Sequence, residues 1–403
     1  MPATSPWLAR GNAAPHRFHR LRPPGPFRLE SGASLPELEI ACETWGEPPP
    51  ASDGAILIAP ALSADAHAAG WGGSPQSAVD GFGAEEQRRS RGGLGWWDPL
   101  IGPGKAFDTD RHYVICMSLL GGCGGTTGPL SGNPATGRPY GPDFPLVTVG
   151  DLVRAARAGL QELGIRRLAG IAGGSLGGMQ GLEWAAAFPD EIDAVIAVAS
   201  TAALSAQGIG WNWIARRAIL GDPDFHGGRY AGRGVRPVRG LATARMLGHL
   251  TYLSAPGMEA KFGRNLQDRA AVSGRLEAAD FQVESYLRHQ AAAFNRRFDA
   301  NAYLRLSWAL TRFDLGARHA DGDLARAVAR FRCRTLLLSF SSDWLYPPGA
   351  SRALERALAA AGKQVLHHEI QTTYGHDSFL LEAGRMTPLI RRFLSRRAGK
   401  SVR

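Results

Sequence analysis

The sequence predicts an α/β protein: a mostly parallel sheet covered on both faces by helices, with one long helical insertion. Three observations predict it. Short apolar runs, often bounded by Gly or Pro, recur along the chain, as strands buried on both faces should. Helical patterns lie between them. From Thr201 to Arg334 the alternation lapses, and helical patterns follow one another with no convincing buried strand.

The strands are expected at Leu38–Trp45, Ala55–Ala59, His112–Met117, Leu168–Ala172, Ala194–Ala199, Thr335–Phe340 and Val365–Ile370. Between them, Asp151–Leu163 reads as a helix. Thr148 with Asp151 three residues on makes a capping-box signal, and Gly164 ends it. Gly178–Phe188 is a second helix, stopped by Pro189. Within the insertion, Trp213–Leu220, Thr243–Leu250 and Phe281–Phe294 carry helical patterns. Residues 1–24, rich in Pro and Arg, read as a mobile arm. The division expected is an arm at 1–24, a core from 25–200 and 335–398, and a helical lid at 201–334. The insertion is too long for a plain loop.

The chain has 403 residues with 44% hydrophobic and 20% charged, enough to bury a full core. No stretch approaches the roughly 18 uninterrupted apolar residues that a membrane span needs. The first 22 residues lack the apolar run of a secretory signal. A cytoplasmic protein is therefore expected. The net charge is +10, and Lys occurs only at 105, 261, 363 and 400, so Arg carries the positive charge. A compositional preference for Arg over Lys accounts for this charge most simply, and a basic surface also suits a polyanion, either nucleic acid or a phosphorylated cofactor such as coenzyme A. The Arg residues are scattered, with no basic helix and no aromatic interleaving, which argues against nucleic acid. Cys42, Cys116, Cys123 and Cys333 form no CxxC pair and no zinc-ligand spacing, so no metal is expected.

The sharpest local feature is Gly173-Gly174-Ser175-Leu176-Gly177, which fits G-x-S-x-G. It follows an apolar strand and opens a helix, as a nucleophile elbow must. A strand turning straight into a helix leaves no room for a Cβ beside its tip, hence the glycines. The following helix start presents the Leu176 N–H to a developing oxyanion. The fold this elbow belongs to is the α/β-hydrolase fold.

A serine hydroxyl needs a base. In that fold an acid and then a histidine follow the serine. Asp343 lies just past the C-terminal end of Thr335–Phe340, the edge where catalytic groups of a parallel sheet gather. His376, in Tyr374-Gly375-His376-Asp377, lies past the next strand at the same edge. His67, which also follows a strand, is the competing histidine, while His367 and His368 sit within a strand. The second oxyanion donor is expected from Pro60-Ala61-Leu62-Ser63, with the Leu62 N–H as candidate.

Several stretches together resemble the homoserine O-acyltransferases. They include residues 61–70 (ALSADAHAAG), 95–105 (GWWDPLIGPGK), 120–129 (LGGCGGTTGP) and 133–141 (NPATGRPYG). They continue at 173–180 (GGSLGGMQ), 281–287 (FQVESYL), 297–301 (RFDAN), 342–345 (SDWL) and 375–380 (GHDSFL), and the likeness runs from about residue 27 to 394. The resemblance implies acyl transfer in two steps. Ser175 takes an acyl group from acyl-CoA, with His376 as base and Asp343 orienting it. The group then passes to the side-chain hydroxyl of an amino acid. Arg216 and Asp377 are implied to hold that acceptor's carboxylate and ammonium, with Arg217 as the neighbouring alternative to Arg216.

Succinyl-using members of the family tend to carry Arg two residues after the acidic triad member. This chain has Leu345 there, and burying a carboxylate against Leu is costly. The expected donor is therefore acetyl-CoA and the acceptor L-homoserine, a step of methionine biosynthesis, with no cofactor. A homoserine or serine O-succinyltransferase and a plain esterase are the alternatives. Pro60, Ala64, Trp213, Arg305 and Thr311 depart from the family's usual residues. A homodimer through the lid is implied by the resemblance alone.

Overall fold

The computed structural model describes residues 16–49, 54–71, 93–267 and 272–395. Eight strands form one sheet. They are β1 (His16–Leu21), β2 (Ile40–Trp45), β3 (Ala55–Ile58), β4 (Tyr113–Met117), β5 (Gly170–Gly174), β6 (Ala194–Val198), β7 (Arg334–Phe340) and β8 (Val365–Ile370). Their spatial order is β1-β2-β4-β3-β5-β6-β7-β8. The pairs β1–β2 and β2–β4 are antiparallel, and all others are parallel. The expected mostly parallel sheet is present.

One expectation fails at the N-terminus. Residues 1–15 lie outside the described residues, but His16–Leu21 is a strand rather than part of an arm. It pairs antiparallel with β2 from His16 opposite Trp45 to Leu21 opposite Ile40. Its His and Arg content hid it, yet an edge strand faces solvent on one side and tolerates such residues.

Successive residues of each inner strand feed opposite cores. Leu57, Ile115, Ile171, Val195 and Leu337 pack with the helices α1 (Val149–Glu162) and α2 (Leu176–Ala187). Ile56, Ile58, Val114, Ile196, Leu336 and Leu338 pack on the other face. There they meet Trp97, Phe107 and the C-terminal helix's Met386, Ile390 and Phe393. The capping box of α1 is formed: Thr148 Oγ1 accepts from the Asp151 N–H, and Asp151 Oδ2 accepts from the Thr148 N–H, both at 3.0 Å.

Between β6 and β7 the chain is helical, as expected. The long helices are α3 (Ala206–Leu220), α4 (Val238–Tyr252), α5 (Ala255–Phe262), α6 (Gln282–Arg297) and α7 (Ala300–Arg312). Helix α3 packs on α4, and α4 packs on both α6 and the turn Gly375–Asp377. A layer of helices thus lies over the loop that carries His376. Two shorter helices, α8 (Leu315–Ala320) and α9 (Leu324–Val328), return to the core. Arg318 of α8 bonds Glu183 of α2 at 2.9 Å and Glu30 at 2.7 Å. The remaining helices are α10 (Pro348–Ala360), α11 (Ser378–Leu381) and α12 (Ala383–Ser395). No helix among the described residues is long and apolar enough to cross a membrane.

Candidate active site

Ser175 stands at the junction of β5 and α2 with φ 57° and ψ −122°. A non-glycine residue in that region costs on the order of 1–3 kcal/mol and persists only where its surroundings hold it. Here the Ser175 N–H donates to Val198 O at 2.9 Å, and Ser200 Oγ donates to Ser175 O at 2.8 Å. Strand β6 therefore clamps the elbow from both backbone groups. A Cβ on Gly177 would come within 2.1 Å of Ala59 O, so only glycine lets α2 approach β3 this closely.

Asp343 follows β7 and His376 follows β8, and the two meet. His376 Nδ1 lies 2.8 Å from Asp343 Oδ2, with both residues buried. The other carboxylate oxygen, Oδ1, accepts the backbone N–H of Leu345 at 3.0 Å and of Tyr346 at 2.9 Å. Three bonds fix the carboxylate, and the carboxylate fixes the imidazole. The ring is further enclosed by Tyr346, Phe379 and Tyr252, with centroids at 5.0, 5.4 and 6.0 Å. The Ser175 hydroxyl is not bonded to the His376 ring. Tyr346, buried against the His376 ring, lies near it. In unliganded enzymes the serine–histidine contact is often long and tightens with substrate.

The backbone N–H of Leu62 and of Leu176 have no hydrogen-bond partner among the described residues. Leu176 opens α2, where such an orphan donor is expected. The loop bearing Leu62 is tied to α2 by Gln180. Its Nε2 donates to Pro60 O at 3.0 Å and to Leu176 O at 3.3 Å. Two free donors on two loops held by one amide are the makings of an oxyanion hole.

Arg216 turns inward from α3. Its Nη1 donates to Thr311 Oγ1 at 2.8 Å and Ser307 O at 3.2 Å. Its Nε and Nη2 have no protein partner among the described residues, and a guanidinium has five donors to place. Burial pulls the group below its ordinary pKa, opposed by Tyr303, but a guanidinium stays charged. Arg217 lies on the outside over the Trp213 ring. The helix thus separates the two arginines that the sequence left as alternatives. Thr311, one of the departures from the family pattern, is the residue that holds Arg216.

Asp377 follows His376. Burial raises its carboxyl above the usual range, while His376 and Arg245 oppose that rise. It shares this region with Tyr252, Tyr286, Arg245 and Lys261. Arg245 stacks on Tyr252 and Phe294, at 5.6 and 4.6 Å from the ring centroids. His249 is buried, and burial together with Arg245 lowers it to about 3, so it is neutral. The charges of Arg216 and Arg245 both act on the buried phenol of Tyr303, which burial holds well above its ordinary range. Leu345 is half-buried beside Asp343.

Sequence reasoning missed Tyr346, Gln180, Tyr252 and Arg245. Gln180 was legible only as the end of the elbow stretch. The other three come from the loop after β7 and from the lid, whose path no local signal reveals.

The competing histidines are engaged elsewhere. His67 Nδ1 and His16 Nε2 both bond Glu43 Oε2, at 2.8 and 2.9 Å. Burial pushes the Glu43 carboxyl up, but the two imidazoles outweigh it and hold it low. Among the described residues this is the group whose atoms lie close enough to hold a metal, all within 4.8 Å. His367 bonds Ser339 and Glu355, both at 2.8 Å. All four cysteines are buried and free, and burial raises Cys123 to about 12, which leaves it an unreactive thiol.

The sheet order, the elbow after β5 and the acid and histidine after β7 and β8 define an α/β-hydrolase. Residues 79–383 match the alpha/beta hydrolase fold family. The chain belongs, within it, to the homoserine O-acyltransferase family, and it is an enzyme. It is 50% identical over 356 residues to a homoserine O-succinyltransferase of Halorhodospira halophila, covering 88% of each chain. It is 46% identical over 371 residues to a homoserine O-acetyltransferase of Solidesulfovibrio magneticus, covering 92% of this chain and 89% of that one. Among solved structures, homoserine O-acetyltransferase from Bacillus anthracis aligns with a TM-score of 0.83 at 25% identity. That alignment covers 96% of this chain and 99% of the other.

Proposed function

We propose that this enzyme moves an acetyl group from acetyl-CoA to the side-chain hydroxyl of L-homoserine through an acyl-Ser175 intermediate. The observation that carries the reading is Ser175 on its positive-φ elbow beside a buried His376–Asp343 pair, beneath helices. A water-shielded serine of this kind forms an ester and keeps it until an acceptor arrives.

In the first step His376 Nε2 takes the Ser175 proton as Oγ attacks the thioester carbon. The N–H groups of Leu62 and Leu176 receive the oxyanion. Coenzyme A leaves as the thiol with the proton from His376. Arg216, with donors to spare, binds the acceptor's carboxylate, and Asp377 binds its ammonium. Neither step calls for a metal or a further cofactor. A second copy of the chain is the proposed partner. Ile209, Trp213, Ile214 and Leu220 on α3 and Leu250 on α4 are exposed apolar side chains on the lid. Biosynthetic chemistry on coenzyme A esters fits a cytoplasmic enzyme feeding methionine formation.

Acetyl is favoured by Leu345, which offers a succinyl carboxylate no cation. Succinyl is the second reading, because a relative at 50% identity carries that name. The test pairs acetyl-CoA and succinyl-CoA with L-homoserine and L-serine, and identifies products by mass spectrometry. O-acetylhomoserine as the dominant product is expected. Dominant O-succinylhomoserine overturns the donor, and O-acylserine overturns the acceptor. Thioester loss at one rate with and without amino acid makes the enzyme an esterase. Light scattering on the purified protein checks the dimer.

A further inference from the structure

Three side chains from separate segments meet at one carboxylate oxygen outside the catalytic triad. His16 opens β1, Glu43 lies in β2, and His67 lies in the loop that follows β3. His16 Nε2 is 2.9 Å from Glu43 Oε2, and His67 Nδ1 is 2.8 Å from the same oxygen. One ligand atom from each residue falls within 4.8 Å of the others. Glu43 and His67 are buried, while 19% of the His16 side chain is open to solvent. The His16 ring is held flat against Trp45, with centroids 5.1 Å apart and planes 13° apart.

The surroundings of His67 ask for more than a neutral ring. Its Nε2 lies 3.3 Å from Gly93 O, so both ring nitrogens face oxygen acceptors. A neutral imidazole has one N–H and one lone pair. With the N–H on Nε2 toward Gly93, the Nδ1 lone pair points at Glu43, and a positive charge must stand between them. A second proton or a metal ion supplies it. Burial opposes the proton, and the Glu43 carboxylate favours it. The donor set suits the metal. Two imidazoles and one carboxylate are zinc ligands, with the fourth position left to water. A ligating imidazole habitually gives its other N–H to a backbone carbonyl, the relation that Nε2 has to Gly93 O. Zinc bonds of ~2.1 Å in a tetrahedron hold ligand atoms about 3.4 Å apart, so the two N···O contacts need open by only about half an ångström.

We propose that His16 Nε2, Glu43 Oε2 and His67 Nδ1 bind one zinc ion. The ion ties the edge strand β1 to β2 and to the loop that also carries Leu62. Its role is structural, and the inference stands whether or not the enzyme is an acyltransferase.

The test uses the untagged full-length protein, stripped with EDTA, dialysed, and titrated with zinc chloride near neutral pH by isothermal titration calorimetry. Magnesium chloride is the oxygen-seeking control. Expected are one zinc per chain, no heat from magnesium, and a thermal midpoint raised by roughly 2–5 °C when free zinc stands about a hundredfold above its Kd. His16→Ala removes a ligand from an edge strand, and Glu43→Gln keeps the shape of the buried side chain. Each should weaken zinc by at least about tenfold, the lower bound for losing even a group that only supports a ligand. Circular dichroism checks that both are folded, and if Glu43→Gln is not, His16→Ala carries the test. Zinc bound equally by wild type and His16→Ala lies elsewhere and overturns the proposal. So does a wild type that binds no zinc, which leaves a proton as the occupant between His67 and Glu43.

Discussion

Gln180 holds Pro60: its side-chain amide reaches from the second turn of the elbow helix to the Pro60 carbonyl at 3.0 Å. One amide thereby sets the spacing of the two loops that carry the proposed oxyanion donors.

Replacing Gln180 with Ala should therefore lower kcat with little change in KM. Loss of a donor itself costs about 10²–10³ in rate. Loosening one costs less, about tenfold. Steady-state kinetics on acetyl-CoA checks it, and a KM effect without a kcat effect would place Gln180 outside the catalytic machinery.

Ser175→Ala should abolish acyl transfer and leave the thermal midpoint near that of wild type, since Ala keeps the Cβ and the backbone bonds to Val198 and Ser200 that hold the elbow. Asp343→Asn keeps the shape of the site but leaves an amide facing His376 Nδ1. The wrong tautomer then loses about 10⁴ in kcat. An Asn variant within tenfold of wild type would show that Asp343 does not orient the base.

Arg318 joins the helical segment to the core through Glu183 and Glu30. Burial raises both carboxyls, but the hydrogen bonds from Arg318, with His319 at Glu183 and Thr148 at Glu30, outweigh it and hold them below the usual range. A depressed carboxyl stabilises the fold above its unfolded pKa, near 4.5, and that contribution disappears as pH falls through the folded value. Arg318→Ala should cost about 1.5–3 kcal/mol near neutral pH, because buried Glu183 loses its guanidinium partner and keeps only the bond to His319. It should also flatten the drop in thermal midpoint below about pH 4.5. Melting curves from pH 7 to pH 3 decide the matter. Parallel curves for wild type and variant would dismiss the link.

Leu345→Arg should raise the succinyl-CoA to acetyl-CoA ratio of kcat/KM by at least tenfold, since a charge-assisted bond to the distal carboxylate is worth about 1.5–3 kcal/mol. A ratio that stays within twofold of wild type would place the acyl chain elsewhere.

The inner strands were legible because each is a short apolar run buried on both faces, and no second reading competes. The Thr148–Asp151 cap was legible because the bond is local. The edge strand His16–Leu21 was not, because its stability comes from backbone bonds to Ile40–Trp45, not from its own pattern. Arg216 and Arg217 are equivalent in sequence, and only the packing of their helix turns one toward Thr311 and the other toward Trp213. Tyr346 stands three residues past Asp343, and nothing local says that its ring packs edge-on against His376, 30 positions later.

By itself the sequence determined the order of the inner strands and the helices between them, the elbow, and Ser175, Asp343 and His376 as the candidate triad. Each of these is set by short-range patterning, or by where a strand ends. The tertiary structure alone decided which groups stand around the site: Tyr346 against Asp343 and His376, Gln180 across two loops, and Tyr252 brought over His376 by the lid. Those contacts join segments far apart in the chain, so their geometry depends on how whole layers pack.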